Sequence, residues 1–415
     1  VPVGEATSDR SFRKIWVATG FGTAGEALTE VAFPLVAVVS FHASSFATSA
    51  LMAAEQVSWL VLGLFAGVLV DRVNKGRLLT IGTVGRAIVY ASVPVAALLG
   101  WLTLAQLFVV AAVSGVLYVV TSVAQDAVTP ELVERAQLTN ANSRLSSTQT
   151  AASLVGRGIS GLLVQTIGAP LAIAADAIAT GTAGILYATL PAPHQVRPRR
   201  IRVSEIFAEI REGLGATFRD ATIRTLVIAA ATSNLLTAAQ SALSILFLVR
   251  TLHVPVALTG VLLLSSSAGG LIGALACARA ERRWGSGRLW RVALVAGPAV
   301  GMLVPFAWLG AGVALFAVGS FGLSLALAIV NIVSFSTRQA VCPPELRGRV
   351  SASSRFTTWG VIPIGLLLGG IIGSTFGIRT AIAAVAVAYF VPALVSRLSP
   401  LHLRADLAQT GRPRA

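Results

Sequence analysis

Glu26 and Glu30 lie one helical turn apart in the middle of an apolar run from Ile15 to Ser40. In a soluble protein that i,i+4 spacing would mark a wet helix face. Here many further runs reach membrane-spanning length, so the pair reads as two carboxylates held inside a bilayer. An ionisable group at that depth costs about 2.5–3.5 kcal/mol on insertion scales and is kept where it faces a partner or a water-filled path. Counted at about 1.5 Å per helical residue, Glu26 falls near mid-bilayer and Glu30 one turn outward. Glu55, on the next run, returns to the height of Glu30, and Arg157, on the fifth, falls near the level of Glu26. A carboxyl that gains and loses a proton at such a place suits movement of a solute against a proton gradient.

The elements that must carry these groups are membrane helices. The chain has 415 residues, 55% hydrophobic and 12% charged, against about 25% charged in soluble domains, with a mean hydropathy of +0.79. The apolar runs predict spans at 15–40, 48–70, 78–99, 102–124, 146–167, 170–190, 223–249, 258–279, 291–309, 312–335, 352–374 and 377–396. The polar start, Val1 to Asp9, and the length of the first run argue against a cleaved signal peptide. Cys277 and Cys342 fall near inner helix ends, which argues against a disulfide framework. The net charge of +15 is no nucleic-acid signature. Arg86, Arg157 and Arg355 are placed within spans, and Arg250 and Arg379 at the opposite ends. The other lysines and arginines fall in alternate inter-helix segments or at the termini. That asymmetry predicts both termini in the cytoplasm, with basic segments against anionic lipid.

The longest connection is polar and carries Arg197, Arg199, Arg200, Arg202, Arg211 and Arg219. Within it, Ile206, Phe207, Ile210 and Leu214 share one face of a predicted amphipathic helix over 203–217. The expected organisation is a six-helix bundle over 1–195, a linker over 196–222, a second six-helix bundle over 223–396 and a tail over 397–415. The halves repeat each other. Gln125 to Leu132 is echoed by Gln339 to Leu346, Ala141-Asn142-Ser143-Arg144 by Ala352-Ser353-Ser354-Arg355, and Gly156 and Gly168 by Gly365 and Gly377. Duplication of this kind suits alternating access by rocking two bundles.

Between the second and third spans runs Gly67-Val68-Leu69-Val70-Asp71-Arg72, followed by Lys75, Gly76 and Arg77. Gly67 permits close helix approach and Gly76 a tight reversal. Asp71 ends a helix whose C-terminal dipole disfavours an anion and so seeks a cation. This segment resembles the signature loop of the major facilitator superfamily. Phe12-Arg13, Ala141-Asn142, Asp176-Ala177, Arg211-Glu212-Gly213 and Pro344-Glu345-Leu346-Arg347-Gly348-Arg349 extend the resemblance over nearly the whole chain, to the branch of bacterial drug and siderophore exporters that includes the enterobactin exporter. The resemblance implies an all-α polytopic fold of twelve transmembrane helices in two six-helix bundles, in the bacterial inner membrane. It implies an inner gate in which Asp71 pairs with Arg355, supported by Gly67, Arg72, Gly76 and Arg77. The second half departs from the pattern, since Cys277 stands where Asp71 would recur, with Glu281 one turn on as a substitute partner for Arg144. The fourth span also carries no charge, which removes the arginine many proton-driven exporters of the superfamily use.

If the first, second and fifth spans face a central cavity, as in the resembling family, Glu26 and Arg157 are expected to pair. Glu30 and Glu55 would then be neighbouring carboxylates that cannot both ionise freely. Glu26, Glu30, Glu55 and Arg157 are thus the proton-coupling candidates. Asp176 reads as a helix-packing residue, Arg86 as a side chain that snorkels or clamps a neighbour, and Asp126 and Asn142 as gate or cap groups. Trp59, Asn234, Gln240, Asn331 and Trp359 are the substrate-cavity candidates, with Phe335 and Phe356 as further stacking surfaces. A cavity with few fixed polar contacts suits a hydrophobic, aromatic or siderophore-like cargo. No metal or cofactor is expected, and the chain is expected to act as a monomer. Histidines are scattered, and neither a catalytic triad, a metal spacing nor a nucleotide loop is present, which argues against an enzyme or an ATP-driven pump. An importer of the same fold and a non-transporting receptor or scaffold are the competing readings.

Overall fold

The computed structural model describes residues 5–70, 73–132, 138–190, 211–212, 214–342 and 347–397. Ten helices among these are long and apolar enough to cross a membrane. The first half contains α1 (Glu5–Leu35), α2 (Ser45–Val70), α3 (Lys75–Leu98), α4 (Leu104–Leu132), α5 (Leu138–Ile167) and α6 (Ala169–Ala188). The second contains α7 (Ala221–Leu246), α8 (Val256–Trp284), α9 (Ser286–Gly301), α10 (Val313–Val341), α11 (Arg347–Gly360), α12 (Ile362–Phe376), α13 (Ile378–Ala388) and α14 (Val391–Arg397). α2, of 26 residues, and α5, of 30, have spanning length but are not among the ten. In α5 the reason is composition, because its first half is rich in Ser, Thr, Asn and Gln.

The chain divides into two compact units, Val1–Arg200 with Pro255–Val261, and Ile201–Val254 with Leu262–Ala415. In the first, α1 packs on α5 and α6, α3 on α4 and α6, and α2 on α4. Small residues set these contacts. A Cβ on Gly156 of α5 would collide with the Ala24 carbonyl and lie 3.0 Å from Ala27 Cβ. A Cβ on Gly115 of α4 would collide with the Glu55 carbonyl. Close backbone approach of this kind holds helices together where lipid supplies no hydrophobic drive. In the second unit α7 is the hub, packing on α10 to α14. A Cβ on Gly365 of α12 would collide with the Leu235 carbonyl and lie 3.0 Å from Ala238 Cβ, as one on Gly156 would with Ala24 and Ala27.

Other local devices also recur. α1 ends in a π-helical turn, Val36–Ser40, and α7 in another, Phe247–Thr251. Each is followed by a histidine in the left-handed region, His42 at φ 49° and His253 at φ 53°. The Ala43 amide donates to the Ala37 carbonyl and the Val254 amide to the Leu248 carbonyl, both at 2.9 Å. α6 and α13 both start after a glycine at nearly the same backbone angles, Gly168 at φ 87° and Gly377 at φ 86°, which L side chains rarely adopt.

Gly76 is not the reversal expected of it. It lies in the first turn of α3, and Asn74 caps that helix by accepting from the Arg77 amide at 3.0 Å. Asp71 and Arg72 lie outside the described residues, as do most of the linker helix over 203–217 and the surroundings of Gly67, Asp126 and Asn142. Cys277 and Cys342 are both buried.

Candidate functional site

Within the first unit, α1, α2, α3, α4 and α6 bring charged and phenolic side chains to one region. Glu26 and Glu55 are partly buried on α1 and α2. Asp176 on α6 is fully buried and accepts from the Thr180 hydroxyl at 2.7 Å. Gly25 makes room for it, because a Cβ there would strike the Asp176 carboxylate. The Tyr90 hydroxyl donates to Glu55 Oε1 at 3.2 Å, and the Tyr118 hydroxyl reaches Glu26. The cation at this centre is Arg86 of α3, 6% exposed. Its guanidinium carbon lies 5.6 Å from the Tyr90 ring centroid and 4.8 Å from that of Tyr118. Arg86 is the cation that faces Glu26, Glu55 and Asp176. Buried at this depth it does not snorkel, and of the two roles expected of it the clamp on a neighbouring helix is the one seen, through Tyr118 of α4.

The expected Glu26–Arg157 pair does not form. Arg157 donates to Glu30 Oε2 through Nη2 at 2.7 Å and through Nε at 3.2 Å. Gly156 seated on Ala24 and Ala27, with the Ser160 hydroxyl donating to the Leu28 carbonyl at 3.0 Å, fixes the α1–α5 register. The Arg157 backbone is therefore at the height the sequence placed it, and the long side chain reaches one turn further out. The pair is partly open, with side-chain exposures of 28% for Arg157 and 52% for Glu30. Asp176, Tyr90 and Tyr118 were missed as members of the cluster. Their signal was the i,i+4 pairs Arg86/Tyr90 and Asp176/Thr180 on apolar helices.

The cavity candidates are dispersed. Trp59 is edge-on to Tyr118 with ring centroids 6.3 Å apart, which places it beside the cluster. Asn234 donates to the Thr358 carbonyl at 2.9 Å and so ties α7 to α11. Gln240 is partly buried, and Asn331 is exposed on α10. Trp359 is exposed and lies under the Arg355 guanidinium, 5.5 Å from its centroid. Among the described residues no group of His, Cys, Asp and Glu could hold a metal ion.

The family model described as Major Facilitator Superfamily matches residues 15–363. The chain belongs to the major facilitator superfamily. It is 27% identical over 392 residues to the multidrug efflux pump Tap of Mycolicibacterium fortuitum, covering 93% of this chain and 94% of that protein. Of solved structures, the nucleoside transporter NupG matches with a TM-score of 0.77 at 14% identity, over 94% of this chain and 99% of the other. A bacterial homologue of the iron transporter ferroportin, in an inward-facing state, also matches at 0.77, with 17% identity over 95% and 99%. At such identities these structures speak for the fold alone. The protein is a multi-pass secondary transporter that moves a small molecule across a membrane, a transport protein and not an enzyme. Its relatives span several branches of the superfamily, and a siderophore exporter is not singled out among them.

Proposed function

We propose that the protein exports a small hydrophobic or aromatic compound from the bacterial cytoplasm by proton antiport, using alternating access. The observation that carries this reading is the set of acidic groups on membrane helices of the first unit. Glu26, Glu55 and Asp176 share Arg86, and Glu30 pairs with Arg157 beside them. No corresponding acids lie inside the apolar runs of the second half, so coupling belongs to the first. Glu26, Glu55 and Asp176 carry or relay the proton, and the Glu30–Arg157 pair lines the partly open side. The efflux function of the relative from M. fortuitum supports the outward direction and a drug-like cargo over a siderophore.

In this reading twelve spans form two six-helix bundles, 1–195 and 223–396, joined by the linker over 196–222, with the tail over 397–415 and both termini cytoplasmic. Asp71 and Arg355 close the inner gate, with Gly67 and Arg72 beside it and Gly76 and Arg77 in the first turn of α3. Trp59 and Trp359 offer stacking surfaces to the cargo, and Asn234, Gln240 and Asn331 supply its few polar contacts. The protein works as a monomer.

Reconstituted protein with an acidic vesicle lumen and an alkaline exterior tests the reading, with ethidium as an aromatic probe. Accumulation in the lumen that collapses when an ionophore dissipates the pH gradient is expected. Accumulation indifferent to the gradient contradicts proton antiport. Accumulation only when probe and protons run in the same direction identifies a symporting importer instead.

A further inference from the structure

Arg86 is buried near the middle of α3, and two of its guanidinium nitrogens, Nε and Nη2, have no hydrogen-bond partner. A buried charge with unused donors is costly unless an opposite charge nearby compensates it. Three carboxylates on three helices surround it, and each is bound elsewhere. Glu26 engages Tyr118, Glu55 engages Tyr90 at 3.2 Å, and Asp176 engages Thr180 at 2.7 Å. Asp176 Oδ2 is likewise unpartnered. The remaining charged groups facing the cluster are Glu30 on α1 and Arg157 on α5, which neutralise each other at 2.7 Å. The Tyr90 and Tyr118 hydroxyls complete the titratable set. One cation, held between two tyrosine rings and committed to no single acid, is thus shared by three.

We infer that Arg86 is the shared counter-charge of the proton site, a positioning residue that allows one carboxylate of Glu26, Glu55 and Asp176 to be ionised while the other two hold protons. The inference rests on the proton-coupled reading above. In a low-dielectric interior one guanidinium compensates one carboxylate, and a second anion there is strongly disfavoured. A proton released from one acid to the water path leaves an anion that turns to the free Arg86 donors. The acid that had been ionised takes up a proton from the acidic side, so the cluster's charge is conserved. Without Arg86 no carboxylate is compensated, the acids keep their protons, and release to the alkaline side stops.

The test compares wild type, Arg86→Gln and Arg86→Lys in the same vesicles, measuring pH-driven ethidium accumulation and downhill ethidium exchange against pH. Arg86→Gln is expected to lose about tenfold or more of the driven accumulation while downhill exchange stays within about threefold and loses its pH dependence. Arg86→Lys, which keeps the charge, is expected to retain driven accumulation and a pH-dependent exchange. Wild-type-like driven accumulation by Arg86→Gln overturns the inference. If Arg86→Gln fails to fold, Arg86→Lys decides: folded and coupled supports the inference, whereas unfolded or uncoupled overturns it. Absence of pH-driven accumulation in the wild type is a different result, since it defeats the antiport reading itself.

Discussion

A charged side chain in an apolar run is conspicuous in a sequence, but its partner is not. Glu26, Glu30, Glu55 and Arg157 were legible because each interrupts a long hydrophobic stretch. Counting along helices also placed the Arg157 backbone at the right height. It could not tell that a long side chain would reach past Glu26 to Glu30. Asp176 and Arg86 were underread because each stands alone in its apolar run, and only the packing of α6 against both α1 and α3 brings them together. The half-open Glu30–Arg157 pair is screened, and exposed pairs are worth about 1 kcal/mol or less. Glu30→Gln should therefore leave folded yield near wild type, measured as the monodisperse peak in detergent. Gly25→Ala should behave otherwise, because its Cβ meets the Asp176 carboxylate and lies 3.1 Å from Ala179 Cβ. Overpacking of this kind costs about 1–3 kcal/mol. A clear fall in melting temperature is expected, partly restored by adding Asp176→Ala.

At the scale of elements the apolar runs located the helices well. The predicted run 15–40 becomes α1 with its π-helical turn, and 223–249 becomes α7 with its own. The helices run further than the hydropathy does, because α4, α8 and α10 continue with polar residues past the apolar stretch. The last two predicted spans are each broken, at Val361 before Pro363 and at Tyr389-Phe390 before Pro392, where a ring without an N–H favours a new helix start. Arg379, read from its charge as an outlier, is a structural brace. It donates to the Pro305 carbonyl at 2.8 Å and the Ala307 carbonyl at 3.0 Å around a short 3-10 turn. The internal repeat extends to packing, since Gly156 and Gly365 make the same approach to a neighbouring helix. Gly156→Val and Gly365→Val should each abolish or sharply reduce folded protein in the membrane fraction. Normal yield from either would show that the close approach is dispensable.

For the whole molecule, the arrangement of charge predicts which side each loop faces. In a Cys277- and Cys342-free background, a cysteine at position 283 should be labelled from the cytoplasm and one at position 310 from outside. The reverse pattern would invert the topology and with it the direction of transport. The gate reading adds that Asp71→Asn should impair cycling more than cargo affinity. The central claim is that the buried acids of the first half couple cargo to protons, and the Glu26→Gln/Glu55→Gln double variant addresses it most directly. In vesicles with an imposed pH gradient, it is predicted to lose uphill ethidium accumulation while keeping downhill exchange, because permanently neutral side chains mimic only the protonated state. Full pH-driven accumulation by the double variant would contradict the account.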